Sequence, residues 1–204
     1  MVKITIYVEG GGDSNRLKTK CHQGFSEFFK KLGIVSTPEI KILIVACGSR
    51  NEAFKDFCKT LKNSDINLLL IDSEKPVKNN SNVWQHLCEI EKWQKPEKAT
   101  EEQLHFMVEC MEAWFMADKK ALADYYGKDF NQNLLPKNTN IENISKQDLF
   151  DTLNNATRKT AKGSYSKGSH SFDILSKIDA NNVVAQSPYA SRLYKTLQEL
   201  QNPK

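Results

Sequence analysis

Two stretches decide the fold of this chain: IYVEGGGD at residues 6–13 and INLLLIDSE at residues 66–74. Each is an apolar, strand-length run that ends abruptly on an acid. The first belongs to VKITIYV (residues 2–8), which is rich in β-branched residues and alternates at its start, so it reads as a strand. The second is apolar without alternation, as expected of a strand buried on both faces. Working outward, a helix is expected over residues 13–32, with Asp13 or Ser14 as its cap and Gly33 just past its end. KILIVA (residues 41–46) reads as another strand. Residues 51–61 place Ala53, Phe54, Phe57, Cys58 and Leu61 at helical spacing. A helix over 82–92, a short strand over 104–108 and a helix over 111–117 complete the pattern. Strands alternating with helices at this spacing predict an α/β fold, with a mostly parallel sheet flanked by helices.

From Asp118 onward the pattern changes. Helices are expected over 121–126, 145–159, 171–178 and 188–201, joined by polar connectors at 131–143 and 161–169. The chain therefore reads as an α/β core over 1–117 and a helical C-terminal region over 118–204 packed on it. The 204 residues suit this arrangement, since one core with an added subdomain fits that length.

Composition narrows the function classes. No apolar run approaches the ~20 residues that cross a bilayer, and the first residues begin a strand rather than a secretory signal. Five scattered cysteines without a CxxC pair exclude a disulfide framework and leave no zinc motif, so a reduced, cytoplasmic protein is expected. Cys47 has no histidine nearby in sequence to activate it as a nucleophile. The net charge of +4 is only mildly basic. Its distribution says more: Arg16, Lys18, Lys20, Lys30 and Lys31 crowd one stretch, and Arg158, Lys159, Lys162 and Lys167 another. Together they could line a cleft for a phosphate backbone, or they could be solvated surface.

In open α/β sheets, sites form at the carboxyl ends of the strands. Glu9 and Asp72 each follow an apolar run directly, so both are expected at that rim. Glu74 lies two residues beyond Asp72 and points the same way on an extended segment. Three carboxylates gathered there repel one another unless a cation neutralises them, and Mg²⁺ or Mn²⁺ suits an all-oxygen set. Gly10, Gly11 and Gly12 remove side chains beside Glu9 and let a substrate approach, or they simply make the turn into the helix. Arg50, after the second strand, can clamp phosphate. Glu109, at the end of the fourth strand, could add a ligand or shape the site, whereas Glu112 reads as structural. Lys167 and His170 lie in GSYSKGSHS (residues 163–171), which reads either as a mobile loop or as a contact with phosphate. Trp114 and Phe115 read as core.

YVEGGGD and LLLIDSE resemble the motifs of Toprim domains, found in topoisomerases, bacterial primases and related nucleases. These carry a Glu ending the first strand and Asp-x-Asp ending the third. Glu9 and Asp72 match, and Glu74 stands where the second Asp would be. The stretches CGSRNEAFKDF, MVECMEAWFMAD, GSYSKGSHSFDIL and SPYASRL also resemble a family of small bacterial Toprim-like proteins often encoded beside an ATPase gene in phage-defence settings. The resemblance implies a Toprim-like core over 1–117 and a Mg²⁺- or Mn²⁺-dependent nuclease acting on DNA or RNA, the effector of a bacterial phage-defence system with an ATPase partner. It implies Glu9, Asp72 and Glu74 as metal ligands, with Glu9 alternatively a general base. The residues themselves add Glu109 as a candidate ligand, Lys167 as a catalytic candidate, and Gly10, Gly11, Arg50 and His170 as candidate substrate contacts. Two other readings stand beside it: a non-catalytic effector subunit of an ATPase complex, and a hydrolase of small phosphoesters. No membrane partner is expected, and a homo-oligomer is left open.

Overall fold

The structure, a computed structural model, describes residues 1–62, 65–78 and 82–202. It is α/β, with a four-stranded parallel sheet flanked by helices and a helical C-terminal region. The strands are β1 (Val2–Gly11), β2 (Ile40–Gly48), β3 (Ile66–Asp72) and β4 (Leu104–Met107), in the order β2-β1-β3-β4. Helix α1 (Asn15–Lys31) joins β1 to β2. Helix α2 (Arg50–Thr60) joins β2 to β3, and α3 (Val83–Glu91) lies between β3 and β4. The chain thus moves from β1 to one side and then crosses to the other, so its topological switch point lies between β1 and β3.

Alternation within the apolar runs decides what each face buries. Ile4, Ile6 and Val8 of β1 and Leu68 and Leu70 of β3 pack with Phe25, Phe28 and Phe29 of α1. Tyr7, Leu69 and Ile71 face the other way, onto Ala53 and Phe57 of α2 and Trp84 and Leu87 of α3. Each fully buried Leu or Ile contributes about 1.5–3 kcal/mol relative to exposure. The α1 face is also where the C-terminal helices bury their apolar residues: α4 (Lys119–Tyr126), α5 (Lys146–Thr157), α6 (Lys167–Leu175), α7 (Ala180–Gln186) and α8 (Pro188–Gln201). Trp114 is the keystone of that side, fully buried and stacked on Phe28 with ring centroids 4.8 Å apart. Phe115 is buried with it, as the sequence predicts.

Local chemistry fixes the ends. Ser14, rather than Asp13, caps α1 by accepting the Leu17 N–H, and Gly33 follows the helix at φ +75°. Ser49 caps α2 and Asn82 caps α3 in the same way. Residues Met111–Ala117 form the expected helix, of 3₁₀ type, and all seven of its residues are buried. Helix α6 starts at Lys167, four residues earlier than its apolar pattern suggests, because a first turn of Lys, Gly, Ser and His carries no apolar signal. The last three residues of the polar connector 161–169 therefore belong to the helix. No helix among the described residues is long and apolar enough to cross a membrane.

Candidate functional site

The carboxyl ends of β1 and β3, on either side of the switch point, bring Glu9, Asp72 and Glu74 together. One carboxylate oxygen from each lies within 4.8 Å of the others. The backbone helps to hold them. Glu9 Oε2 accepts the Asp72 N–H at 3.0 Å, tying the two strand ends together. Asp72 Oδ1 accepts the Met111 N–H at 2.9 Å, from the first residue of the 3₁₀ helix. Glu74 sits at φ +61°, a left-handed position that turns its side chain back toward the rim. Its N–H donates to the Glu109 carbonyl at 3.1 Å.

Three cations face these acids. Arg50, the first residue of α2, places Nε 3.3 Å from Glu9 and Nη2 2.5 Å from Glu74, and it also pairs with Glu91. Lys146, the first residue of α5, donates to Glu74 at 2.6 Å. Lys167, the first residue of α6, lies 3.4 Å from Asp72 Oδ2 and 3.7 Å from Glu112 Oε2. Glu112 is fully buried, and its other oxygen accepts the Tyr165 hydroxyl at 2.7 Å.

Burial pushes the Asp72 carboxyl up to about 7; Lys167 pulls it down, while Glu9 and Glu112 reinforce the rise. Burial likewise raises Glu9, outweighing Arg50 and the Asp72 N–H. Glu74 goes the other way: burial raises it, but the Lys146 hydrogen bond and the charges of Lys146 and Arg50 leave it below the usual carboxylate range. Burial lowers Lys167, yet Asp72 and Glu112 outweigh it and hold its ammonium above the ordinary lysine value.

A cleft of about 290 Å³ opens on this cluster, lined by Glu9, Gly10, Gly11, Asp72, Lys167 and Phe172 among others. The glycines are sterically required. A Cβ at Gly11, where φ is +92°, would lie 2.8 Å from Lys18 Cα, and one at Gly48 would lie 2.6 Å from the Gly12 carbonyl.

The remaining sequence candidates are placed as follows. Arg50 reaches the site, but its guanidinium is engaged by Glu9, Glu74 and Glu91 rather than free for phosphate. Glu109 stands outside the three-carboxylate cluster: it accepts the Lys146 backbone N–H and so anchors the start of α5, a shaping role. His170 is turned away from the cleft. Its Nδ1 accepts the Ser166 N–H at 3.1 Å and faces the Tyr126 hydroxyl, within a nest of Tyr125, Tyr126 and Tyr165. Burial pushes the Cys47 thiol up to about 12, which leaves it a poor nucleophile. Sequence reading missed Lys146 and Glu91. Both reach the rim from distant helices, and neither adjoins an apolar run that would have marked it.

The comparisons with known proteins add one family. No curated protein and no solved structure gave a significant match. A family model described as a domain of unknown function, DUF4276, matches residues 8–198. That span takes in Glu9, Asp72, Glu74, Lys146 and Lys167, and nearly the whole chain with them, so the protein belongs to the DUF4276 family.

Proposed function

We propose that this protein is a divalent-metal-dependent phosphodiesterase acting on nucleic acid. The observation that carries the reading is the convergence of Glu9, Asp72 and Glu74 within 4.8 Å beside a cleft, at the switch point of the sheet. The donor set fits Mg²⁺ or Mn²⁺, being all hard oxygen. The charges fit as well. Five carboxylates (Glu9, Asp72, Glu74, Glu91 and Glu112) are ion-paired to three cations (Arg50, Lys146 and Lys167). The acids outnumber these cations, and Glu109 adds a further carboxylate beside Lys146, so the rim holds an excess of acids for a divalent cation to offset. Glu9, Asp72 and Glu74 would hold it. Such an ion, when bound, supplies Lewis acidity at a phosphoryl oxygen and eases deprotonation of water. The resemblance of YVEGGGD and LLLIDSE to Toprim motifs supports the same assignment.

The chain's own groups then divide the work. The backbones of Gly10 and Gly11 line the cleft, and their missing side chains make room for Cys21, Phe172 and Lys18. The Met111 N–H fixes one oxygen of Asp72 and leaves the other toward Lys167. The Lys167 ammonium, at the mouth of the cleft, is placed to offset negative charge gathering on the phosphoryl oxygens. Glu9, its carboxyl raised by burial, can serve either as a ligand or as the base that takes a proton from water.

The test is cleavage of plasmid, single-stranded DNA and transfer RNA with Mg²⁺ or Mn²⁺, comparing wild type with Glu9→Gln and Asp72→Asn. Metal-dependent cutting lost in both variants is the expected result. Cutting that survives both would remove the acidic rim from the mechanism.

A further inference from the structure

Two further cavities adjoin the acidic cleft, one through shared lining residues and the other through Glu74. On one side of the 290 Å³ cleft, sharing Leu17 and Gly168 with it, is a cavity of about 330 Å³ that also takes in Arg16, Lys20 and Ser169. Glu74 of the cluster walls a second cavity, of about 620 Å³, together with Lys75, Glu109, Lys146 and Phe150. Joined, the three would make a trough with an exit at each end rather than a blind pocket. The exit past Arg16 is basic: Arg16 is exposed, and Lys20 is held by Asp173 at 2.8 Å. The exit past Phe150 is mixed, its two lysines balanced by Glu74 and Glu109, and it has a half-buried ring on its wall.

We propose that this trough takes a single extended polynucleotide strand that enters at one exit and leaves at the other, so that the bond over the acids is internal and no free end is needed. Cations tracking the backbone and an aromatic ring on which a base can stack are the parts that bind single strands without reading sequence. The central cleft is at the lower limit of small-ligand pockets and has no room for a duplex. A duplex also keeps its bases stacked on each other, out of reach of Phe150, and is too stiff to follow the trough. A small phosphoester would fill only the middle cavity and leave both exits unused. The cutting half of this inference rests on the phosphodiesterase reading; the binding half does not.

Binding is measured first, by fluorescence anisotropy of labelled oligothymidylates of two, four and eight nucleotides, thymidine monophosphate and a short duplex, without divalent metal. Affinity should climb with length to a plateau near four nucleotides or beyond, with the duplex at least tenfold weaker. Arg16→Glu and Phe150→Ala should each weaken the eight-nucleotide strand several-fold while leaving the monophosphate unaffected. Equal binding of mononucleotide and octamer, or of duplex and single strand, would overturn the trough. Cutting is measured second, with Mn²⁺, on a covalently closed single-stranded circle and the same sequence opened. Equal rates are expected. Cutting of the open form alone would overturn the internal-bond assignment. Length-dependent binding with neither form cut would uphold the trough and bring down the phosphodiesterase reading instead.

Discussion

Glu9 Oε2 accepts the backbone N–H of Asp72 at 3.0 Å, so a side chain near the end of β1 is bonded to the main chain that ends β3. The two acids are thus spaced by the sheet's own register rather than by flexible loops. Glutamine at position 9 keeps an oxygen for that bond while removing the charge. Glu9→Gln should leave the fold intact, with the midpoint of urea unfolding changed by less than the equivalent of ~1 kcal/mol. Mn²⁺ affinity, measured by calorimetry, should fall at least ~10-fold, as expected for the loss of a charged ligand worth ~1.4 kcal/mol or more. An unchanged Mn²⁺ affinity would show that Glu9 holds no metal.

Asp72 and Glu74 should respond oppositely to amide substitution when no metal is present. Asp72 is raised by burial and by its neighbours, so Asp72→Asn relieves crowding and should be neutral or stabilising. Glu74 is lowered because Lys146 and Arg50 favour its ionised form, so Glu74→Gln should destabilise by about 1 kcal/mol at neutral pH. Chemical denaturation of both variants in a chelator reads the signs directly. The same sign for both would contradict the division of charge at this rim.

Gly48→Ala should be among the costliest single changes near the cleft. It combines φ +86° with a Cβ 2.6 Å from the Gly12 carbonyl, a backbone atom that cannot yield cheaply. A loss of about 2–4 kcal/mol is expected from strain plus overpacking. Gly33→Ala is the control. Its φ of +75° is similar, but the space around it is open, so only the left-handed penalty of about 1–2 kcal/mol applies. Equal losses would mean that the close approach at Gly48 relaxes freely.

His105 sets an acid limit on stability. It is buried, its Nε2–H donates to the Glu102 carbonyl at 2.8 Å, and its Nδ1 lies 3.3 Å from the Arg192 guanidinium. Burial first, and Arg192 second, push it down to about 3 from an ordinary 6.5. Between those values the unfolded chain binds a proton that the folded chain does not. The contribution is therefore complete above about pH 6.5 and is lost as pH falls toward 3, by at most ~1.4 kcal/mol per pH unit. His105→Gln should flatten the slope of stability against pH in that window. A wild-type slope that persists in the variant would assign the acid sensitivity to other groups.

Thiol labelling should separate the five cysteines. Cys21, Cys47 and Cys110 are buried, and burial pushes all three thiols up. Cys58 is raised too, although it is only partly buried. In native protein an aromatic disulfide reagent should react first at Cys88, then slowly at Cys58, and at all five only after unfolding. Fast native labelling of Cys21 would show that the α1 face opens.

The legible part of this protein is the part where a functional residue directly follows an apolar run. Glu9 and Asp72 could be placed at one rim because VKITIYV and INLLLI are strands whose ends are marked by the acids themselves. Glu74 and Arg50 followed from their neighbours. His170 could not be read, because a helix that begins Lys-Gly-Ser-His has a first turn indistinguishable from a loop, and its Nδ1 is claimed by Ser166 inside that same turn. Lys146 and Glu91 were invisible for another reason. Their pairing is fixed by how α5 and α3 dock on the sheet, a matter of packing with no local mark. Glu109 was readable as a residue of the rim but not as the anchor of α5.

The placement of Lys146 and Lys167 at the first positions of α5 and α6 also has a consequence in time. The acids at 9, 72 and 74 leave the ribosome well before the two lysines that oppose them, and only Arg50 accompanies them. Until the last third of the chain is made, the rim is a knot of like charge with one counter-ion. Completion of the polypeptide, more than formation of the sheet, is what brings this centre into electrical balance.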